Sequence, residues 1–153
     1  MRVSDTLRAD SIVTGVSWPD IAGAVEGLVQ LLVDSGSVPP TVARPAVAAV
    51  VERERVASTA MVDIGVSIPH SRIDGLARLV TAMAVSPRGV YGASAGTPIS
   101  IVFLVLSPPS LSGEHLNFLS ALSMLLHSSS VRRGLQEAKT PDAVLELIRA
   151  HER

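Results

Sequence analysis

Two histidines and two arginines are the residues of this chain whose types and positions suit a defined chemistry. His70 directly follows Pro69, and His115 lies in the first turn of a predicted helix. A neutral imidazole is a good nucleophile towards phosphorus, and the phosphohistidine that it forms can hand the group on. The start of a helix favours an incoming anion, and Arg53 or Arg55 could add a bidentate contact. These residues therefore permit phosphoryl transfer through histidine, with a second imidazole as a hydrogen-bond donor.

The proline before His70 predicts where that histidine lies in the fold. Proline fixes its own φ and pushes Ile68 towards extended geometry, so residues 66–68 are predicted to form a short strand. His70 is then the first loop residue beyond the strand, where α/β proteins usually keep their chemistry. Two plain alternatives stay open, because single short motifs are weak evidence. His70 could be an ordinary surface histidine, and His115 could be a histidine at the edge of the core.

Other chemistries have less support in the sequence. Ser71, His70 and Asp74 could suggest a Ser-His-Asp hydrolase, but neighbours in sequence rarely meet in triad geometry, and residues 65–69 lack the second glycine of a nucleophile elbow. A metal site would need His70, His115 and a carboxylate, yet no histidine pair stands at i, i+4. The absence of cysteine excludes disulfides, thiolate metal sites and thiol nucleophiles. The sequence therefore predicts neither a metal nor another cofactor.

Composition narrows the class of protein. The chain has 153 residues, of which 47% are hydrophobic, and this suits one domain, residues 1–153, with one buried core. Only 3% of the residues are aromatic and the net charge is −1, so we expect no nucleic-acid partner. The longest apolar stretch, residues 101–106, is too short to span a bilayer, and the N-terminus lacks the apolar region of a signal peptide. We expect a cytoplasmic protein without a membrane span.

Hydrophobic periodicity predicts helices that alternate with buried strands. The predicted helices cover residues 21–36, 41 or 44 to 55, 114 onward, 130–137 and 140–151, and the predicted strands cover residues 12–13, 66–68, 79–85 and 99–106. Residues 17–20 are predicted to cap the first helix, with Pro19 in its first turn. The helix from Glu114 carries His115 on its apolar stripe. Several connections are too short for a crossover helix, so the predicted fold class is α/β with a mixed sheet.

Four segments of the chain together resemble a known family. They are Arg53-Glu54-Arg55-Val56-Ala57-Ser58-Thr59, Ile64-Gly65-Val66-Ser67-Ile68-Pro69-His70-Ser71-Arg72, Leu104-Val105-Leu106-Ser107-Pro108, and Gly113-Glu114-His115-Leu116-Asn117-Phe118-Leu119-Ser120-Ala121-Leu122. In order and spacing they are similar to the type-2 enzyme IIA (EIIA) domain of the phosphoenolpyruvate-dependent sugar phosphotransferase system (PTS). The similarity is to the mannitol/fructose/nitrogen-regulatory branch and runs from about residue 10 to the C-terminus.

The resemblance implies a fold, a site and partners. The fold would be a single EIIA type-2 domain, with a mixed sheet of about five strands flanked by helices on both faces. His70 matches the histidine that the histidine-containing phosphocarrier protein phosphorylates, His115 matches the second histidine of the site, and Arg53 matches the arginine at the phosphate. The downstream partner would be an enzyme IIB or a regulatory target. Length and residues 69–76 look closest to the nitrogen-regulatory type.

The chain departs from the family pattern around His70. Ser67 and Ser71 stand where other small residues are usual, and residues 61–65 contain an apparent extra residue, which predicts a reshaped loop. A rival hypothesis follows from these departures. The chain could be a catalytically silent regulatory module that keeps the fold and binds proteins through the same face.

Overall fold

A mixed β-sheet lies at the centre of the computed structural model, which describes residues 1–92 and 97–153. The strands are β1 (Ile12–Thr14), β2 (Val66–Ser67), β3 (His70–Arg72), β4 (Val80–Val85), β5 (Tyr91–Gly92), β6 (Pro98–Ile99) and β7 (Ile101–Ser107). Five of them form the main sheet in the order β1-β4-β7-β2, with β3 also beside β7, and β5 pairs with β6 separately. Strand β7 is antiparallel to β4 and parallel to β2 and β3. The predicted mixed sheet of about five strands is therefore present.

Within the described residues, five α-helices enclose the sheet. They are α1 (Ile21–Asp34), α2 (Pro40–Val56), α3 (Ser112–His127), α4 (Ser129–Glu137) and α5 (Pro141–His151). The Asp20 side chain caps α1 by accepting from the backbone N–H of Gly23. Pro19 therefore precedes the cap, and the prediction that it lies in the first turn is wrong. Helix α2 begins at Pro40, one residue before the earlier of its two predicted starts. None of the helices in residues 1–92 and 97–153 is both long enough and apolar enough to cross a membrane.

Alternating side chains of β4 and β7 divide the core into two layers. Met83 and Phe103 belong to the cluster that α3, α4 and α5 complete, while Ala84 and Leu104 belong to the cluster that α1 and α2 complete. Successive residues of a strand face opposite sides of a sheet, so one fully buried strand serves both layers. Each fully buried leucine or phenylalanine contributes roughly 1.5–3 kcal/mol. The two layers hold α2 and α3, which carry the candidate site, on opposite faces of one rigid sheet.

The edge of the sheet is interrupted at Pro69. Strand β2 ends at Ser67, and pairing with β7 resumes when Val105 N–H donates to the Pro69 carbonyl at 3.0 Å. Proline has no N–H to give to a ladder, so the interruption falls where the sequence places the proline. His70 is consequently the first residue of β3, and the prediction that it is a loop residue is wrong. The long predicted strand 99–106 is also divided, since β6 ends before Ser100 and β7 begins after it.

The segment with the apparent extra residue forms a closed turn. Met61 N–H donates to the Val66 carbonyl at 2.7 Å, and Val66 N–H donates back to Met61 at 3.3 Å. Gly65 closes the turn with a φ of +67°, a conformation that other residues adopt only with strain. Its carbonyl accepts from Ser100 N–H at 2.9 Å and thereby joins the turn to the sheet. The turn over residues 61–66 is thus closed by hydrogen bonds and joined to the sheet through Gly65.

Candidate functional site

His70 and His115 come from distant parts of the sequence and lie side by side. Their ring centroids are 5.5 Å apart and the ring planes are inclined by 53°. His70 opens β3, which is paired with the C-terminal half of β7. The chain leaves β7 at Ser107 and enters α3 five residues later, with His115 in the first turn. The pairing of β3 with β7 is what brings the two imidazoles together.

The ring of His70 is held in one tautomer by the backbone. Its Nδ1 lies 2.8 Å from the Ile68 carbonyl oxygen. A carbonyl can only accept, so Nδ1 carries the proton and donates it. The Nε2 lone pair then remains available, and within residues 1–92 and 97–153 no hydrogen bond engages it. The residue is half-buried. His70 therefore presents a nucleophilic nitrogen at an accessible edge.

Burial and nearby charge keep the His70 ring neutral. Desolvation lowers the pKa of His70 most strongly, and its hydrogen bond to Ile68 opposes that shift. The positive charges of Arg53 and Arg72 lower the pKa further, while Glu54 raises it. Because the net direction is below the usual value near 6.5, the imidazole is mainly unprotonated at neutral pH. A neutral ring is the form that can attack an electrophile.

His115 is the more deeply buried of the two histidines, at 3% exposure. Its Nδ1 is hydrogen-bonded to the Ser107 hydroxyl. Burial lowers the pKa of His115 to about 4, with smaller contributions from the charge that His70 carries once it is protonated and from the positive charges of Arg72 and Arg53. At neutral pH the ring is therefore uncharged and carries a single N–H. The pair thus consists of two neutral imidazoles, one at the edge and one behind it.

Two exposed arginines place positive charge at the pair. Arg53, in the last turn of α2, and Arg72, at the end of β3, each lower the pKa of both histidines. Neither forms an ion pair with any residue of the described ranges. Arg55 is engaged elsewhere, since its Nε donates to Glu52 at 3.0 Å. Of the two arginines that the sequence left open, the structure brings Arg53 to the histidines.

A buried carboxylate supports the segment that leads to His70. Glu54 is 6% exposed and accepts hydrogen bonds from the hydroxyl and, at 3.1 Å, the backbone N–H of Thr59. The Thr59 hydroxyl oxygen in turn accepts from Ile68 N–H at 3.0 Å. These bonds connect α2 to the residue whose carbonyl orients the His70 ring. Sequence analysis missed this network because Glu54 stands within a run of charged residues, and such runs usually lie in solvent.

Arg72 was also missed, although the strand period contains a signal for it. Residues i and i+2 of a strand project from the same face, so an arginine two positions after a candidate histidine falls beside it. The prediction of a loop at His70 concealed this relation. Ser107 was missed because residues 107–113 were treated as a proline loop, whereas Ser107 is the last residue of β7.

The described residues do not form the hydrolase triad or the metal site that the sequence analysis considered. His70 Nδ1 is bonded to a backbone carbonyl, and the Ser71 hydroxyl lies 3.4 Å from the Arg72 carbonyl oxygen, so these residues form no Ser-His-Asp triad. Within residues 1–92 and 97–153 no group of three or more histidine, aspartate or glutamate side chains could hold a metal ion. The arrangement present is a nucleophilic nitrogen, a second imidazole and two cations, which together suit an anionic electrophile such as a phosphoryl group.

Comparison with known proteins adds an independent line of evidence. The family model described as "Phosphoenolpyruvate-dependent sugar phosphotransferase system, EIIA 2" matches residues 5–151. The chain is 36% identical over 127 residues to the fructose-specific EIIA component of the PTS from Haloferax volcanii, which covers 82% of this chain and 80% of that protein. All but a few residues of the described chain thus fall within one family pattern.

Solved structures agree with this match. The crystal structure of nitrogen regulatory protein IIA-Ntr from Neisseria meningitidis superposes with a TM-score of 0.81 at 26% identity, covering 95% of this chain and 98% of the other. The complex of enzyme IIAMTL and phosphorylated enzyme IIBMTL from Escherichia coli contains a chain that superposes with a TM-score of 0.74 at 22% identity, covering 94% and 97%. At 22% identity, the second comparison shows a shared fold only. The predicted α/β fold is therefore confirmed.

Proposed function

Since this chain belongs to the EIIA type-2 family of the phosphoenolpyruvate-dependent sugar PTS, we propose that it carries a phosphoryl group on Nε2 of His70. One observation supports this assignment most directly. Two neutral imidazoles lie beside Arg53 and Arg72 with their ring centroids 5.5 Å apart, and Nδ1 of the more exposed ring, His70, donates its proton to the Ile68 carbonyl. The function is transfer of phosphate between proteins through a phosphohistidine.

The transfer can be followed atom by atom. The Nε2 lone pair of His70 attacks the phosphorus of a phosphohistidine on the donor protein, and the bond from phosphorus to the donor nitrogen breaks. The donor imidazole retains that electron pair. The phosphorylated His70 ring gains positive character, which the Ile68 carbonyl at Nδ1 stabilises. Transfer to the next protein follows the same path in reverse, with the acceptor as the attacking group.

The cations and the second histidine act on the phosphoryl oxygens. Negative charge is spread over three equatorial oxygens during such a transfer, so fixed positive groups beside it lower the barrier. Arg53 is assigned the contact to the phosphoryl group, and Arg72 contributes charge from the same face of β3 as His70. His115 is assigned a hydrogen bond to an equatorial oxygen. Its neutral state at pH 7 leaves it one proton for that purpose.

Donor and acceptor are proposed from the family. The donor is the histidine-containing phosphocarrier protein, and the acceptor is an enzyme IIB or a regulatory target. The structure of enzyme IIAMTL with phosphorylated enzyme IIBMTL supports an enzyme IIB as a partner of this fold. The likeness to nitrogen regulatory protein IIA-Ntr supports a regulatory target instead. Both partners would meet the same edge of the sheet, because His70 lies there.

The test is phosphorylation by a purified, phosphorylated carrier protein. We expect intact-mass spectrometry to show one added phosphoryl group, which mild acid removes because phosphohistidine is acid-labile. His70→Gln should keep the fold and lose the label, since glutamine cannot accept a phosphoryl group. His127→Gln, a change at an exposed histidine of α3, is the matched control and should label normally.

Two results would contradict the proposal. A wild-type protein that takes no label from the carrier would instead be the catalytically silent regulatory module. Full labelling of His70→Gln would move the acceptor to another residue, with His115 as the nearest imidazole.

A further inference from the structure

A buried serine stands behind the second histidine. Ser107 is 0% exposed, and its hydroxyl is bonded to His115 Nδ1. Its backbone is fixed as well, because the Ser107 carbonyl accepts from Ile73 N–H at 2.7 Å at the end of β3. The hydroxyl therefore meets the imidazole from a rigid position in the sheet. None of the roles assigned above involves this side chain.

Hydrogen-bond satisfaction decides which of the two groups donates. A buried hydroxyl hydrogen without an acceptor is costly, and buried polar groups are nearly always paired. Within residues 1–92 and 97–153, the Ser107 hydroxyl has one hydrogen-bond partner, which is Nδ1 of His115. If Nδ1–H donated to the serine, the hydroxyl hydrogen would be left without an acceptor. If the hydroxyl donates, both groups are satisfied and the imidazole proton resides on Nε2.

We propose that Ser107 is a positioning residue that holds His115 in the Nε2–H tautomer. His115 then acts as a hydrogen-bond donor to the phosphoryl group, while His70 is held in the opposite tautomer by Ile68 and acts as the nucleophile. The role of this tautomer in catalysis rests on the proposed phosphotransfer function, but the tautomer itself is a property of the free protein. Two identical side chains thus receive different roles from the two groups that face their Nδ1 atoms.

The direction of the hydrogen bond matters for the rate of transfer. A neutral imidazole in the other tautomer would present the Nε2 lone pair to the phosphoryl oxygens, and two acceptors repel each other. Loss of the serine would leave both tautomers populated, so part of the protein would lack its donor. In other enzymes a neighbouring group fixes the tautomer of a histidine, and loss of that group greatly lowers the reaction rate. We expect about a tenfold loss in the phosphotransfer rate constant for Ser107→Ala.

The first measurement is the tautomer in solution, without any phosphoryl donor. Long-range ¹H–¹⁵N NMR of the unphosphorylated protein distinguishes protonated from unprotonated imidazole nitrogens, and the His70→Gln and His115→Leu variants assign the signals. We expect His115 to be protonated at Nε2 in the wild type and to become a mixture in Ser107→Ala. Ser86→Ala, which removes another buried serine hydroxyl at the end of β4, is the matched control and should leave the His115 signals unchanged.

The second measurement is the rate of phosphotransfer from the phosphorylated carrier protein. Ser107→Thr keeps the hydroxyl and should restore both the Nε2–H tautomer and most of the rate, which a loss of packing alone would not predict. A wild-type His115 protonated at Nδ1 would overturn the inference, and so would a Ser107→Ala variant that keeps the wild-type tautomer or the wild-type rate. Because the NMR measurement needs no donor protein, failure of the tautomer and failure of phosphorylation are read separately.

Discussion

Acid should destabilise this protein through His115, and the size of the effect follows from the structure. The pKa of His115 is lowered to about 4 by burial, whereas an unfolded histidine titrates near 6.5. Between these values the unfolded chain binds a proton that the folded chain does not, so the free energy of unfolding falls as the pH falls. At about 1.4 kcal/mol per pKa unit, the complete loss below pH 4 is about 3 kcal/mol. The part lost between pH 7 and pH 5 is about 2 kcal/mol.

Urea denaturation can isolate this contribution. The single tryptophan, Trp18, provides a fluorescence signal for unfolding. The free energies of wild type and His115→Leu are compared at pH 7 and pH 5, because leucine does not titrate and the other ionisable groups are shared. We expect the difference between the two proteins to change by about 2 kcal/mol, with the wild type losing more. A His127→Gln control, at an exposed site, should follow the wild type at both pH values.

Parallel behaviour of wild type and His115→Leu would refute the reasoning. It would mean that the His115 ring titrates equally in the folded and unfolded chains, and hence that the ring is solvated in the native state. A difference of the opposite sign would mean that the folded protein stabilises the protonated ring. The second outcome would also remove the argument that His115 is neutral at pH 7 in the proposed transfer.

Three further predictions concern the groups around the pair. Arg53→Ala should slow phosphotransfer about tenfold, with less than about 0.5 kcal/mol change in the free energy of unfolding. Arg55→Ala is the control and should keep the wild-type rate, because the Arg55 side chain is paired with Glu52 of its own helix. Equal rates for the two variants would remove Arg53 from the site. Thr59→Val should lower the free energy of unfolding, measured by urea denaturation, by about 2 kcal/mol because Ile68 N–H loses its acceptor. Thr59→Ser keeps the hydroxyl and should stay close to wild type. A Thr59→Val variant as stable as wild type would show that the bond contributes little. His115→Leu should slow phosphotransfer about a hundredfold in a folded protein, and a fully active variant would make His115 a core residue only.

Most of the fold could be predicted from the sequence because its signals are local. Strand β7 contains consecutive β-branched and apolar residues, and the stripe of α3 repeats at helical spacing, so the bounds of β7 and the start of α3 were predicted within a few residues. The family was predicted from the order and spacing of four segments, and the match over residues 5–151 confirms it. Two errors fall at prolines, Pro19 and Pro69, where a residue can lie inside an element or directly outside it with the same local geometry. The division of the predicted strand 99–106 falls at Ser100 instead.

The site was less predictable because it depends on contacts between distant segments. Periodicity placed His115 on a buried stripe, but nothing in the residues alone indicated that β3 would carry His70 to within 5.5 Å of it. The roles of Glu54 and Ser107 depend on burial, which a single sequence does not reveal for a polar residue in a charged run or beside a proline. From the residues alone the choice between Arg53 and Arg55 was open for a similar reason, and the family resemblance indicated Arg53. Glu52 and Arg55 stand at i, i+3 and pair on the helix surface, and this engagement is what separates Arg55 from Arg53.

The interruption at Pro69 has a consequence for solubility as well as for the position of His70. Exposed sheet edges are templates for aggregation, because unpaired backbone N–H groups can recruit a strand from another chain. Here the N–H of Val66 is bonded to the Met61 carbonyl, and the N–H of Ile68 is bonded to the Thr59 hydroxyl. The opposite edge, β1, is only three residues long. A strand from another chain therefore finds few free backbone donors along residues 66–68, directly before the candidate histidine.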